Sequence, residues 1–268
     1  MDRLAGKAAL VTGASSGIGR AVCLELVRRG ARVAALARRT DRLADVARVS
    51  GGAAVPVECD VTRAESVRAA VDSVVERFSR LDVVLANAGF GVGRTVERLE
   101  VEDFRRQFET NFFGVLHTLY ATLPALKASH GVFAVTGSVS GYLAGPGHVA
   151  YATSKYALRA LAEGLRGELA PAGVAVVLIS PGYVVSEISQ VDRFGRFRPE
   201  YRSSVPDWLR MPADRAAEKI VTAIARRRRE AVITTHGRLA VFIARHLPRT
   251  TAFLLARAGR PRSPARRP

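Results

Sequence analysis

Residues 7–19 read KAALVTGASSGIG, an apolar run that ends in a glycine-rich turn. The stretch after it, 16–29, has apolar residues at helical spacing and is closed by Gly30, a residue typical of helix ends. A buried strand that turns sharply into a helix predicts a βα unit, and the free N–H groups and positive dipole end of such a helix bind anions. The segment therefore predicts a pyrophosphate site at the start of an α/β domain.

The same alternation of strand and helix continues along the chain. Further strands, most of them apolar throughout, are predicted at 32–37, 53–58, 83–86, 132–136, 174–180 and 231–234. Helices are predicted from about residue 40, then at 63–80, 101–128, 150–169 and 213–228. This pattern indicates a doubly wound, Rossmann-like α/β fold, a seven-stranded and mostly parallel sheet with helices on both faces. Its ligand is expected at the carboxyl ends of the strands.

The net charge of +17 is concentrated at the carboxyl end of the chain. Twelve arginines and one acid, Glu230, lie from residue 226 onward, so that part carries +11. A charge placed there says little about the main domain, in which no motif supports nucleic-acid binding. We expect one catalytic domain over 1–236 and a basic amphipathic extension over 237–268, with a disordered Pro/Arg-rich end.

Three roles are open for the extension. Its apolar residues could form one side of a helix broken by Pro248: Leu239, Val241, Phe242, Phe253 and Leu254. Such a helix packs on a subunit or over a pocket, which we favour, or lies on an anionic membrane surface. Nucleic-acid binding is the third reading, and we do not expect it.

The cysteines and histidines indicate the cellular compartment and the absence of a metal site. Two cysteines, Cys23 and Cys59, are too few for a disulfide scaffold and indicate reduced thiols. The chain begins with no apolar stretch of signal-peptide length, and no run of 18 apolar residues occurs. We therefore expect a cytoplasmic protein. None of the five histidines is spaced for a metal site, so we expect no metal.

The residues after the second strand indicate the cofactor. An NAD site has a carboxylate there for the ribose 2′-hydroxyl, whereas an NADP site has cations for the 2′-phosphate. Here Ala37 takes the place of the carboxylate, and Arg38 and Arg39 follow it. A guanidinium can bind phosphate through two N–H groups and can stack on adenine. The sequence predicts NADP(H).

A serine, a tyrosine and a lysine follow the fifth strand. Ser138 comes directly after that strand, and Tyr151 and Lys155 open the next helix four residues apart, on one helical face. An ammonium next to a phenol stabilises the phenolate, which makes tyrosine a usable proton donor and acceptor. A serine hydroxyl nearby can polarise a substrate oxygen. The three residues predict acid–base chemistry on an oxygen atom.

Taken together, these motifs resemble the short-chain dehydrogenase/reductase family, in the type of about 250 residues. The resemblance covers residues 5–235 and rests on the order and spacing of TGASSGIG (12–19), Asp60-Val61, Asn87-Ala88-Gly89, Asn111, Ser138, Tyr151 with Lys155, and Pro181-Gly182. It implies an oxidoreductase that transfers hydride between NADP(H) and a carbonyl/alcohol pair. The alternative is an NADP(H)-sensing regulator without catalysis, against which the intact catalytic residues argue. Sugar-nucleotide epimerases share the tyrosine and lysine, but they have longer chains and another glycine spacing.

The resemblance also implies roles for single residues. Tyr151 would be the general acid/base, Ser138 would orient the carbonyl oxygen, and Lys155 would bind the nicotinamide ribose and favour the Tyr151 phenolate. Asn111 would position a water molecule for proton relay. Asp60 would contact the adenine amine, and Asn87 and Gly89 the ribose. The full cofactor set would be Gly13, Ser15, Ser16, Gly17, Ile18, Gly19, Arg38, Arg39, Asp60, Val61, Asn87, Ala88, Gly89, Tyr151, Lys155, Pro181, Gly182 and Val184. Many members have threonine where this chain has Ser186, which can make the same hydrogen bond.

Substrate recognition is assigned to residues around the pocket mouth: Ser138, Tyr151, Phe90, Tyr142, His148 and Tyr183. The aromatic-rich stretch 183–210 predicts a mobile lid. It favours an apolar ketone, aldehyde or secondary alcohol, including lipid-like or steroid-like ones. We further expect a homodimer or homotetramer.

Overall fold

The computed structural model describes residues 4–201, 203 and 205–258. In this part of the chain seven strands form one sheet: β1 (Ala8–Thr12), β2 (Arg32–Ala37), β3 (Ala54–Glu58), β4 (Val83–Ala86), β5 (Val132–Thr136), β6 (Ala175–Ser180) and β7 (Glu230–Val232). The order across the sheet is β3-β2-β1-β4-β5-β6-β7, and all six neighbouring pairs are parallel. The predicted fold class is confirmed, and the sheet is parallel throughout.

Helices connect the strands and cover both faces of the sheet. They are α1 (Gly17–Arg28), α2 (Thr40–Val49), α3 (Ala64–Phe78), α4 (Val101–Phe108), α5 (Gly114–Ser129), α6 (Val149–Leu169), α7 (Ala213–Ala225), α8 (Thr235–His246) and α9 (Pro248–Ala258). Within the described ranges, none of these helices is both long and apolar enough to cross a bilayer.

Each strand supplies alternate residues to two apolar cores, because successive strand side chains point to opposite faces. In β1, Ala9 and Val11 join the core under α1 and α7, whereas Ala8 and Leu10 join the core under α3, α5 and α6. A continuous apolar strand such as 8–11 is therefore buried on both sides, which is the reason its sequence does not alternate. Chain order reverses between β1 and β4, and this reversal opens a crevice at the carboxyl edge of the sheet.

Two predicted elements differ from the structure. The single helix expected at 101–128 is divided by a π-helical turn, Glu109–Phe113, between α4 and α5. The strand expected at 231–234 ends at Val232, because the Thr234 side chain accepts a hydrogen bond from the Gly237 N–H and so caps α8. The predicted disordered end, 260–268, lies outside the described residues.

The extension packs on the catalytic domain through α8. The five apolar residues expected to form one side do not all take part in this packing. Val241 is buried in the core, and the Arg245 guanidinium lies 2.6 Å from the Glu230 carboxylate of β7. Pro248 begins α9, so the predicted break in the helix is present. The remaining apolar residues of the predicted side are exposed: Leu239, Phe242, Phe253 and Leu254.

Candidate active site

The predicted catalytic residues meet at the carboxyl ends of β4, β5 and β6. Ser138 follows β5, and Tyr151 and Lys155 lie in the first two turns of α6. The Ser138 side chain lies close enough to the Tyr151 hydroxyl to lower the pKa of the phenol. The Lys155 ammonium lies 5.6 Å from the centre of the Tyr151 ring. The structure therefore brings the three predicted residues together.

Burial sets the proton affinity of this pair. Lys155 is only 4% exposed, and its Nζ donates a hydrogen bond of 2.9 Å to the carbonyl oxygen of Thr136. Loss of solvation lowers the pKa of Lys155 to about 8. Burial raises the pKa of Tyr151, and the nearby Ser138 side chain partly opposes that rise. Tyr151 is thus a phenol at neutral pH in the cofactor-free protein, a state from which it can donate a proton.

Asn111 is fully buried in the π-helical turn. Its Oδ1 accepts from the Phe90 N–H at 3.0 Å, and its Nδ2 donates to the Phe90 carbonyl and to Ser154 Oγ, both at 3.0 Å. Such single π turns within α-helices often occur at functional sites. Asn111 therefore fixes the loop after β4 against α6, directly beside the catalytic helix. Its predicted role in holding a water molecule stays a prediction.

The glycine-rich loop is compact because a side chain has no room at Gly19. A Cβ atom there would lie 2.2 Å from the Gly13 carbonyl oxygen and 2.7 Å from Asn87 Nδ2. The helix can then begin close to the sheet, and its first N–H groups face the crevice between β1 and β4. This arrangement fits the pyrophosphate of a dinucleotide, with Ser15, Ser16, Gly17 and Ile18 at the turn.

The two arginines after β2 occupy different positions. Arg39 donates hydrogen bonds from Nε and Nη2 to Ser15 Oγ, at 3.2 and 3.0 Å, and from Nη2 to Ser16 Oγ at 2.8 Å. Arg38 is exposed. Arg39 thus places its positive charge on the glycine-rich loop, where a ribose 2′-phosphate would need it, and the donor set fits NADP(H).

Other predicted cofactor residues support the crevice through their own hydrogen bonds. Asp60 Oδ1 accepts from the N–H and the hydroxyl of Thr62, at 3.0 and 2.8 Å. Asn87 Nδ2 donates to the Thr12 carbonyl at 3.1 Å, and its Oδ1 accepts from Thr136 at 3.3 Å, so this side chain ties β1 to β5. Contacts between the cofactor and Asp60, Val61, Asn87, Ala88, Gly89, Pro181, Gly182 or Val184 stay predictions.

Of the predicted substrate residues, Tyr142 has surroundings unlike those of a pocket mouth. It is 6% exposed within the core, and its hydroxyl lies 3.2 Å from Ser180 Oγ. The guanidinium groups of Arg159 and Arg245 cover its ring. The structure thus gives Tyr142 a packing role, and it lends no support to a substrate contact.

Phe90, His148 and Tyr183 belong to the connections that follow β4, β5 and β6, respectively. Phe90 follows Gly89 directly and is buried, whereas His148 and Tyr183 are exposed. Gly91 lies against the Tyr151 ring, since a Cβ there would be 3.2 Å from Tyr151 Cδ2. Ser138 and Tyr151 complete the predicted substrate set, and contacts of these residues with a substrate stay predictions.

Part of the predicted lid is docked on α4. The Asp192 carboxylate accepts hydrogen bonds from the N–H groups of Phe194 and Arg196, both at 2.9 Å, and so holds a tight turn. Arg193 lies 2.8 Å from the Glu100 carboxylate and 3.0 Å from that of Asp103, which is fully buried. These bonds hold the segment 191–198 in place next to Phe90. Mobility of the whole stretch 183–210 stays a prediction.

Sequence reasoning missed His236. Its Nε2 accepts a hydrogen bond of 3.2 Å from the Tyr183 N–H, and its ring stacks on Tyr183 at 5.5 Å. A Cβ on Gly182 would lie 2.7 Å from the same nitrogen. His236 therefore supports the turn after β6 at which a nicotinamide is expected. The available sequence signal was its position, two residues after the end of the predicted strand 231–234.

Metal chemistry has no support in the described residues. Among residues 4–201, 203 and 205–258, no group of three or more His, Cys, Asp or Glu side chains is placed to hold an ion.

Comparison with known proteins agrees with this geometry. Residues 7–194 match the family model of the short chain dehydrogenases. An uncharacterised oxidoreductase from Myxococcus xanthus is 39% identical over 198 residues, which are 72% of this chain and 78% of that protein.

Two solved structures extend the likeness beyond the matched residues. A short chain dehydrogenase from Burkholderia cenocepacia in complex with NADP is 28% identical, with a TM-score of 0.82 over 96% of this chain and 99% of the other. A short-chain dehydrogenase/reductase from Burkholderia phymatum in complex with NAD has the same TM-score over 98% and 99%, and at 24% identity it shows the fold alone. Both kinds of nicotinamide cofactor therefore occur in structures of this shape.

Proposed function

Because the chain belongs to the short-chain dehydrogenase/reductase family, we propose that this oxidoreductase transfers hydride between NADP(H) and a carbonyl/alcohol pair. The observation that carries the proposal is the Tyr151 phenol, which lies near Ser138 and next to the buried ammonium of Lys155. The alternative, an NADP(H)-sensing regulator, has no use for such a triad. A screen of ketones, aldehydes and secondary alcohols that follows NADPH absorbance tests the proposal. If the protein turns over none of these compounds, the regulator is favoured.

When bound, NADPH would provide the hydride for the carbonyl carbon in the proposed reduction. The Tyr151 hydroxyl donates its proton to the carbonyl oxygen, and the product is the alcohol. Ser138 donates a hydrogen bond to the same oxygen as negative charge develops on it. Lys155 stabilises the phenolate that remains and binds the nicotinamide ribose. Asn111 holds the loop after β4 against α6, which keeps this geometry.

We propose NADP(H) as the cofactor because Arg39 is already bound to the glycine-rich loop. NADPH should bind at least about tenfold more tightly than NADH, a difference of ~1.4 kcal/mol. Arg39→Ala should abolish most of this preference, since its guanidinium lies on Ser15 and Ser16. Arg38→Ala should weaken it less.

Calorimetric dissociation constants for both cofactors, measured on the wild type and on the two variants, check this prediction. Equal affinities of the wild type for NADPH and NADH would contradict it. NADH binding serves as the internal control, because it lacks the 2′-phosphate.

The substrate we propose is apolar. In the segment 191–198, Gly195 lies against the Phe90 ring, since a Cβ atom on this glycine would be 3.8 Å from the ring. Exposed aromatic residues of the 183–210 stretch, Tyr183, Phe194, Tyr201 and Trp208, could bury themselves on a bulky ketone or alcohol. Lipid-like and steroid-like carbonyls belong in the screen for that reason.

Self-association and location are proposals of the same kind. A homodimer or homotetramer is supported by exposed tyrosines on two long helices, Tyr120 of α5 and Tyr156 of α6. Light scattering measures the assembly directly. A cytoplasmic location is supported by Cys23 and Cys59, both of which are free and buried.

For the extension we propose packing on the body through α8, with α9 as the segment available for membrane contact. Removal of residues 237–268 should lower Tm by about 5 °C or more, because it exposes the surface under Val241 and breaks the ion pair of Arg245 with Glu230. Removal of 247–268 alone should change Tm little, because Phe253 and Leu254 are exposed.

Thermal unfolding of the two truncated proteins tests this assignment, with vesicle co-sedimentation at low and high salt beside it. A protein without residues 237–268 that is fully stable and active, together with salt-sensitive vesicle binding by the full chain, would assign the whole extension to the membrane.

A further inference from the structure

Glu187 is the one acid of the lid segment that lies on the glycine-rich loop. It begins the short 3-10 helix Glu187–Gln190, and its carboxylate Oε2 lies 2.9 Å from Arg39 Nη2. The same nitrogen donates to Ser15 and Ser16. One guanidinium thus joins the end of β2, the glycine-rich loop and the start of the lid segment.

The backbone next to Glu187 touches the same loop. A Cβ atom on Gly17 would lie 2.9 Å from Ser186 Cβ, so these two residues are in direct contact. Gly17 is the first residue of α1, whose N–H groups and positive dipole end attract anions. The Glu187 carboxylate therefore binds Arg39 beside this helix end. Arg39 is the same cation that the proposed function assigns to the 2′-phosphate of the cofactor.

The two anions cannot use Arg39 in the same way. Nη2 has two N–H groups, and in the cofactor-free protein it already serves two serine hydroxyls and the carboxylate. A 2′-phosphate held by this guanidinium must displace Glu187 or accept the repulsion of its charge. A cofactor that ends in a 2′-hydroxyl makes no such demand. The ion pair therefore opposes the binding of NADP(H) more than that of NAD(H). An opposing group can change the ratio of two affinities just as an attractive group can.

We propose that Glu187 sets the degree of discrimination between cofactors with and without a 2′-phosphate, by competing with that phosphate for Arg39. This inference rests on the proposed function, in which Arg39 binds the 2′-phosphate. Glu187 is then a specificity-determining residue supplied by the lid segment, more than 140 positions from the arginine that it controls.

Glu187→Gln is the decisive variant, because it keeps the shape of the side chain and removes its charge. Dissociation constants are measured by calorimetry for NADPH, NADH and adenosine 2′,5′-bisphosphate. NADPH and the bisphosphate should bind at least about threefold more tightly to the variant, and NADH should change by less than about twofold. Unchanged affinity for all three, or equal tightening of all three, would overturn the proposal.

The matched control is Asp207→Asn. Asp207 is a largely exposed carboxylate of the same segment, and its ion-pair partner is Arg210. The variant removes the same charge, so a general electrostatic effect of the segment would tighten NADPH binding here as well. We expect no such tightening, and its appearance would count against a specific role for Glu187.

A double variant separates this inference from the proposed function. If Glu187 acts through Arg39, Glu187→Gln should have less than about a twofold effect on NADPH binding in an Arg39→Ala background. A full effect in that background would overturn the competition. If Arg39→Ala alone leaves NADPH affinity unchanged, the proposed cofactor site fails. If it weakens NADPH binding while Glu187→Gln changes nothing, only the role of Glu187 fails.

Discussion

Tyr151→Phe is expected to lower turnover by about 100-fold or more and to leave NADPH binding close to that of the wild type. The change removes the hydroxyl that donates the proton in the proposed reduction, together with its interaction with Ser138. The ring remains, and with it the packing against Gly91 and the position over the Lys155 ammonium. Single-turnover rates with a substrate from the screen, beside the dissociation constant of NADPH, check both halves of the prediction.

Tyr142→Phe is the matched control. Tyr142 is also a tyrosine close to a serine, with its hydroxyl 3.2 Å from Ser180 Oγ, and burial raises its pKa to about 12. Its hydroxyl faces Ser180 in the core, so the variant should lose about 1 kcal/mol of stability and keep its turnover within about twofold. A Tyr151→Phe protein with near wild-type turnover would show that another group donates the proton. Lost turnover in Tyr142→Phe would restore Tyr142 to the substrate site.

The fold could be predicted because its signal is local. Continuous apolar strands such as 8–11 alternate with amphipathic helices, and a parallel sheet buried on both faces is the arrangement that satisfies this pattern. The catalytic residues were also within reach, since Tyr151 and Lys155 share one helical face and Ser138 ends a strand. Sequence spacing alone fixes these relations.

The remaining parts of the site depend on contacts between residues far apart in the chain. Arg193 reaches Asp103, Glu187 reaches Arg39, and no periodicity links the members of either pair. The π-helical turn at Glu109–Phe113 has the apolar pattern of an ordinary helix, and the Asn111 side chain within it bonds to Phe90, 21 positions away in the chain.

Tyr142 shows that sequence position does not give the surroundings of a side chain. Its position just after the Ser138 segment suggested a residue at the pocket mouth, because neighbours in sequence at a strand end often line the same cavity. The short 3-10 helix Val139–Gly141 turns the chain, and the Tyr142 ring enters the core between Arg159 and Arg245. Proximity in sequence to a catalytic residue therefore did not give the direction of the side chain.

Lys155→Met should damage both binding and chemistry. We expect the dissociation constant of NADPH to rise by about tenfold and turnover to fall by about 100-fold or more, because one ammonium serves the ribose and the phenolate. Methionine fills a similar volume, but it leaves the Thr136 carbonyl without its hydrogen bond from Nζ. Lys155→Arg keeps a positive charge and is the control for the loss of that charge, and Tm of each variant separates a folding defect from a catalytic one.

The pH dependence gives a second, independent test of Lys155. Its pKa is lowered to about 8, so the ammonium is present below that pH and lost above it. In the wild type, kcat/KM and NADPH affinity should therefore be full near pH 7 and fall as the pH rises through about 8. Burial raises the pKa of Tyr151, so ionisation of the phenol in the cofactor-free protein belongs to a higher pH range. Because a guanidinium stays protonated throughout, Lys155→Arg should move this alkaline decline to higher pH. A decline that stays near pH 8 in Lys155→Arg would assign it to a group other than Lys155.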